Sequence, residues 1–122
     1  MSVARHNCRT ENRPNGMIIR IWHGRTTAEH AEEYERLVAE ENYETIAERT
    51  GDGYRGFDLS RRELDDGSFE YVTVTRFDSW EAVEAFGGDD PEEAYVPPEA
   101  RELLTEYDER VDHYEVRERE RV

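Results

Sequence analysis

One run of seven residues, Met17-Ile18-Ile19-Arg20-Ile21-Trp22-His23, limits what this chain can become. It is β-branched and aromatic, closes at Gly24, and reads as a strand. Side chains along a strand point alternately to two faces, and this run is too apolar for either face to lie in water. Helices over one face and a partner over the other would satisfy it.

The rest of the composition agrees with an incomplete core. At 122 residues the chain fits one domain, which removes roughly two-thirds of its unfolded surface from water. Hydrophobic residues are only 35% of the chain, and even with the eight glycines added the total stays below the roughly 45–50% of an average globular protein. A second copy packed on a sheet face would complete so thin a core, so a homodimer is expected.

The formal charge of -15 and pI near 4.6 should repel phosphate backbones and anionic headgroups, so neither nucleic acid nor a membrane surface is an expected partner. All 16 basic residues are arginine, against 31 Asp and Glu. That balance points to a halophilic, archaeal source, because in molar salt the screening length falls to about 3 Å and carboxylate repulsion is tolerated. The single cysteine, Cys8, allows no intrachain disulfide and no thiolate metal cluster, which suits the cytoplasm. No apolar run approaches the ~20 residues of a membrane span, and the first sixteen residues hold no stretch like that of a signal peptide.

Met1 to Gly16 is polar and without periodicity, so it reads as a disordered extension, with Met17 a candidate natural start. After the first strand, Thr26 and Glu29 form a capping-box pattern before a long helix carrying Ala31, Tyr34, Leu37, Val38 and Ile46. Thr50-Gly51-Asp52-Gly53 ends it. A hairpin follows, Tyr54 to Arg62 and Phe69 to Phe77, turning at Asp65-Asp66-Gly67. Asp78 with Glu81 starts a short helix with Trp80, Ala82, Val83 and Phe86, ended by Gly87-Gly88. Asp90-Pro91 and Pro97-Pro98 open two further helical pieces, the second carrying Leu103, Leu104 and Tyr107. A last strand, Val111 to Val116, precedes a charged tail over 117–122. The order is βαββαβ over residues 17–116, a ferredoxin-like α+β arrangement.

Three segments carry a resemblance: Arg20-Ile21-Trp22-His23-Gly24, then Thr75-Arg76-Phe77-Asp78-Ser79-Trp80-Glu81-Ala82-Val83-Glu84-Ala85-Phe86, then His113-Tyr114-Glu115-Val116. Together the chain resembles the antibiotic biosynthesis monooxygenase domain. The resemblance implies a dimeric α+β barrel, two sheets packed face to face, with a pocket in each subunit between sheet and helices. It also implies oxidation of aromatic substrates by molecular oxygen without metal or flavin in some members, and haem degradation in others. Members often have Trp where this chain has Phe77 and His or Trp where it has Phe86. The haem-degrading branch has a histidine near the position of Tyr95 or Val96, and a first-strand asparagine for which Ile18 is the closest match. This chain has neither residue, so haem is a cofactor only under a lesser reading.

Cofactor-free oxygenation needs an electron-rich substrate anion, a base, a fixed positive charge and apolar walls. His113 is the candidate base, or else a structural histidine paired with Glu115 or with the partner subunit. Arg20 either stabilises an anion or closes an ion pair such as one with Glu70. Trp22 shares a face with Arg20 and is a pocket wall or ordinary packing. Tyr71 and Thr73 share a face with Thr75, opposite Val72, Val74 and Arg76; which face meets the helices is open. Phe86 and Tyr95 are expected to roof a pocket; Gly87-Gly88 either lets that roof move or simply ends a helix. His6, His23, His30 and His113 have no metal-ligand spacing, so no intrinsic metal is expected.

Three functions follow as expectations: a monooxygenase acting on a small aromatic or quinol-type substrate, a non-catalytic ligand-binding or stress-response barrel, and haem degradation.

Overall fold

The computed structural model describes residues 16–120. The reading of the N-terminal extension therefore lies, but for Gly16, outside the described residues, as do the last two residues of the tail. Five strands form one antiparallel sheet: β1 (Ile18–Thr26), β2 (Tyr54–Glu63), β3 (Phe69–Phe77), β4 (Leu104–Tyr107) and β5 (Asp112–Glu115). Their order is β2-β3-β1-β4, with β5 sharing the same edge of β1. The helical segments are α1 (Ala28–Leu37), α2 (Tyr43–Thr50), α3 (Trp80–Gly87) and α4 (Pro98–Leu103). The fold is the ferredoxin-like α+β arrangement, with its last strand split in two.

Register decides which side chains meet the helices. Ile18, Arg20, Trp22 and Thr26 of β1 are buried on one face, and they pair directly with Phe77, Thr75, Thr73 and Phe69 of β3. Tyr71, Thr73 and Thr75 therefore face the helices, as do Phe57 and Leu59 of β2 opposite Thr75 and Thr73. Gly56, at a φ of 121°, takes a conformation that a side chain resists, and the β2–β3 register shifts there. Gly24 serves a different purpose: a Cβ there would overlap the Trp22 ring, which lies across it.

Helix entry differs from the sequence reading by one residue at both capping sites. Thr27, not Thr26, caps α1 by accepting from the His30 N–H, while Thr26 is the fully buried end of β1. Ser79, not Asp78, caps α3 by accepting from the Ala82 N–H at 3.2 Å. Between α1 and α2 the long helix passes through one π-type turn, Val38–Asn42. Tyr71 and Glu35 tie this helix to the sheet, the phenol donating to the carboxylate at 2.6 Å and Arg61 donating to the same oxygen at 2.8 Å.

Two expectations about the second crossover are corrected. Asp90-Pro91 starts no helix, because the backbone of this segment bonds elsewhere: Ala94 N–H donates to the Glu109 carbonyl and the Val111 N–H to that of Glu92. Leu104 and Tyr107 are not helical either. A pair of adjacent leucines fits both periods, and pairing with the open edge of β1 decides for a strand. The stretch between β4 and β5 leaves a gap in that ladder, which Asp108 fills. Its N–H donates to the His23 carbonyl at 2.9 Å, and its carboxylate accepts from the His23 N–H at 3.1 Å.

The core falls into two clusters. One gathers Trp22, Tyr34, Leu37, Val38 and Tyr71 beneath α1 and α4; the other gathers Ile18, Ile46, Phe77, Val83 and Phe86 beneath α2 and α3. On β1, Ile18 belongs to one and Trp22 to the other, with Arg20 between them on the same face. The charged residue marks the seam.

Candidate functional site

A cavity of about 40 Å³ opens in that seam. Thr73, Thr75 and Phe57 form its sheet side; Trp22, Tyr34, Val38 and Ile46 wall it; Phe86, Tyr95 and Val96 cover it, with Arg20 among its lining. Of the predicted site residues, Arg20, Trp22, Thr73, Phe86 and Tyr95 come together here. Tyr71 and His113 do not line it: the phenol of Tyr71 is engaged with Glu35, and His113 sits behind Arg20.

Arg20 is 5% exposed, a costly place for a guanidinium. The expected ion pair with Glu70 does not form, since Glu70 pairs opposite Arg25 on the other face of the sheet and accepts from Arg62 at 2.7 Å. No carboxylate pairs with Arg20 among the described residues. Its Nη1 donates to the Pro91 carbonyl at 2.6 Å and its Nη2 to that of Glu93 at 2.9 Å. Nη1 also lies 3.3 Å from His113 Nε2. A guanidinium has five N–H donors, so two remain for other acceptors. Burial, and secondarily the nearby charge of Arg49, pushes the Arg20 pKa down to about 10, which still leaves it charged at neutral pH.

His113 is neutral for related reasons. Burial first, then the charge of Arg20, pushes its pKa down to about 4, against a smaller opposing pull from Asp112. An arginine can only donate, so His113 Nε2 must accept and Nδ1 must carry the proton. That Nδ1 is buried without a partner among the described residues. The Glu115 pairing considered from the sequence is replaced by this contact with Arg20 and by the edge of Trp80, whose ring lies 5.4 Å away.

The aromatic walls are fixed by their polar ends and by neighbouring charges. Trp22 Nε1 donates to the Asp108 carbonyl at 2.8 Å. Tyr95 stands edge-on to Phe86 at 5.9 Å. Arg20 and Arg49 both approach the Phe86 ring, at 4.9 and 4.6 Å from its centre. Arg49 also donates to the Phe86 carbonyl at 2.7 Å. Sequence reasoning passed over Arg49; where every basic residue is arginine, residue type gives no signal.

Among the described residues, the lining contains no histidine, cysteine, methionine, aspartate or glutamate. Haem does not fit this lining, which among the described residues offers it no imidazole or sulfur ligand. Among the described residues no three His, Cys, Asp or Glu side chains gather as a metal-binding group, and no helix is long and apolar enough to cross a membrane.

No protein-family model matches the chain, and no curated protein matches it. Solved structures do. A Bacillus cereus protein given the antibiotic biosynthesis monooxygenase name superposes with a TM-score of 0.60 at 16% identity, over 88% of this chain and 100% of its own. A Caulobacter crescentus protein of the same designation superposes at 0.60 and 17% identity, over 89% and 98%. SnoaB of Streptomyces nogalater, a cofactor-independent oxygenase, superposes at 0.52 and 15% identity, over 85% of this chain and 96% of its own. At such identities the likeness is one of fold: the ferredoxin-like α+β arrangement that this chain shares with all three.

Proposed function

We propose that the chain is a cofactor-independent monooxygenase that oxidises a small aromatic or quinol-type substrate with molecular oxygen. The observation that carries the reading is Arg20, a buried guanidinium without a carboxylate, lining an apolar and aromatic cavity. Such a charge lowers the pKa of a phenol bound beside it and stabilises the phenolate, from which an electron passes to oxygen. It can hold the reduced oxygen species in the same way. One oxygen atom enters the substrate, the other leaves as water, and the substrate supplies all four electrons. The fold shared with SnoaB, a cofactor-independent oxygenase, supports the same reading.

His113 acts through Arg20. Neutral, and accepting from the guanidinium, it holds the charge in place without adding a second one. A role as proton acceptor at Nε2 would require release of Arg20. A cavity of about 40 Å³ admits water but falls short of the ~150 Å³ that holds a benzene ring. Substrate entry therefore requires the cover of Phe86 and Tyr95 to move; Gly88, at a φ of 69°, ends α3 just behind Phe86, its N–H donating to the Glu84 carbonyl at 2.8 Å.

The outer face of the sheet carries Ile19, Ile21, Val72, Val74 and a half-exposed Tyr114. We assign this face to a second copy of the chain, giving the face-to-face barrel. The lysine-free acidic surface fits work in the concentrated salt of a halophile's cytoplasm.

A second reading, ligand binding without turnover, is favoured by one observation: among the described residues no lining side chain is a carboxylate or imidazole that could take a proton. Oxygen uptake with a panel of hydroquinones and polyphenols, in concentrated KCl, separates the two. The monooxygenase reading expects uptake with at least one compound, lost in Arg20→Gln. Binding by thermal shift with no uptake across the panel would replace it with the second reading.

A further inference from the structure

A second cavity, of about 300 Å³, lies on the outer side of Phe86 and Tyr95, and Arg20 lines it as well as the inner one. Arg49 and Arg101 line it too. Neither has a carboxylate partner among the described residues, although other arginines, such as Arg25, Arg36, Arg55, Arg61, Arg62, Arg76 and Arg110, do. Two acidic residues border the same cavity. Asp90 is held by both Nη atoms of Arg110, at 2.9 and 3.1 Å, and Glu93, whose backbone carbonyl accepts from Arg20, sets one exposed carboxylate against the three guanidinium groups. In a chain with nearly two acids per base, three arginines left without carboxylates around one cleft are a local reversal of sign.

We propose that this cleft is an anion subsite, and that the ligand is an aromatic molecule bearing a carboxylate, its ring system in the inner cavity and its carboxylate among Arg20, Arg49 and Arg101. The inference rests on the aromatic-pocket reading above and specifies the substrate class for it. Arg20 joins the two cavities, so one guanidinium contacts the ring end and the anionic end of a single molecule. Arg49, stacked over Phe86 and Tyr95, places its charge against the partition that must move for entry. The net charge of -15 does not reject such a ligand in molar salt, where the screening length of about 3 Å leaves only contacting charges effective.

The test pairs 6-hydroxy-2-naphthoate with 2-naphthol, which lacks only the carboxylate. Dissociation constants are read from quenching of tryptophan fluorescence, since Trp22 walls the inner cavity, for the wild type and for Arg101→Gln and Arg49→Gln in fixed KCl. The naphthoate should bind at least about tenfold more tightly than the naphthol, and Arg101→Gln should remove most of that difference while leaving the naphthol constant in place. Arg49→Gln should weaken the naphthoate by a similar factor. Equal affinities for the two ligands, or an Arg101→Gln effect of equal size on both, would overturn the anion subsite and leave the aromatic pocket standing. Binding of neither ligand would overturn both.

Discussion

Acid should unfold this protein partly through His113, and replacing that residue should remove the effect. Burial and Arg20 push its pKa from 6.5 down to about 4, so the unfolded chain takes the proton first as pH falls. The stability contributed by the neutral ring is complete above about pH 6.5 and is lost progressively as the pH falls through about 4. The interval between 6.5 and about 4 corresponds to a ceiling of ~3 kcal/mol. Because the ring is only partly buried, solvent screening reduces this to ~1–2 kcal/mol. His113→Gln keeps an acceptor for Arg20 and does not titrate. Urea midpoints for wild type and His113→Gln, measured in concentrated KCl from about pH 7 to about pH 4, should converge or cross in the variant's favour by that amount toward the acid end. Carboxylates titrate in both proteins and cancel in the difference. An imidazole titration followed by proton NMR should place His113 near the acid end of the window in the wild type, and higher in Arg20→Gln, where the repelling charge is gone. A difference between wild type and variant that stays constant with pH would refute the neutral, Arg20-bound histidine.

Gly24→Ala should destabilise the fold by ~1–3 kcal/mol in urea unfolding, because the added methyl overlaps the Trp22 ring packed across that position. Tyr71→Phe should cost ~1–2 kcal/mol by the same measurement, leaving the Glu35 carboxylate without its phenolic donor. Ile21→Asp, on the outer sheet face, should convert a dimer to a monomer by light scattering; a wild-type monomer in concentrated salt would defeat the barrel assembly. Thermal midpoints should rise with KCl concentration, since a net charge of -15 opposes compaction when unscreened.

Much of the architecture was legible in the chain because local signals agreed with the final fold. The β1 run, the hairpin of β2 and β3, and the apolar spacing of α1 and α3 each show their own period, and the elements lie where those periods end. Caps were displaced by one residue because Thr26-Thr27 and Asp78-Ser79 offer adjacent candidates, and only burial of Thr26 distinguishes the first pair. The second crossover was misread because its backbone bonds are made at long range. Asp90-Pro91 has the composition of a helix start, yet its neighbours bond to residues 109–111 and to Arg20.

The candidate site divides along the same line. Sequence alone determined that Arg20 would be a charged residue on an apolar strand, that Trp22 would share its face, and that Tyr71, Thr73 and Thr75 would lie together, since all of these follow from a period of two. It left the choice of face open, because both faces of β1 are apolar. Tertiary structure decided that Arg20 points to the helices rather than toward Glu70, that His113 accepts from it, and that Arg49 and Arg101 converge on one cleft with it. Those contacts join residues 29 to 93 positions apart, and a local pattern carries no information about pairings made only when the sheet and its helices close on one another.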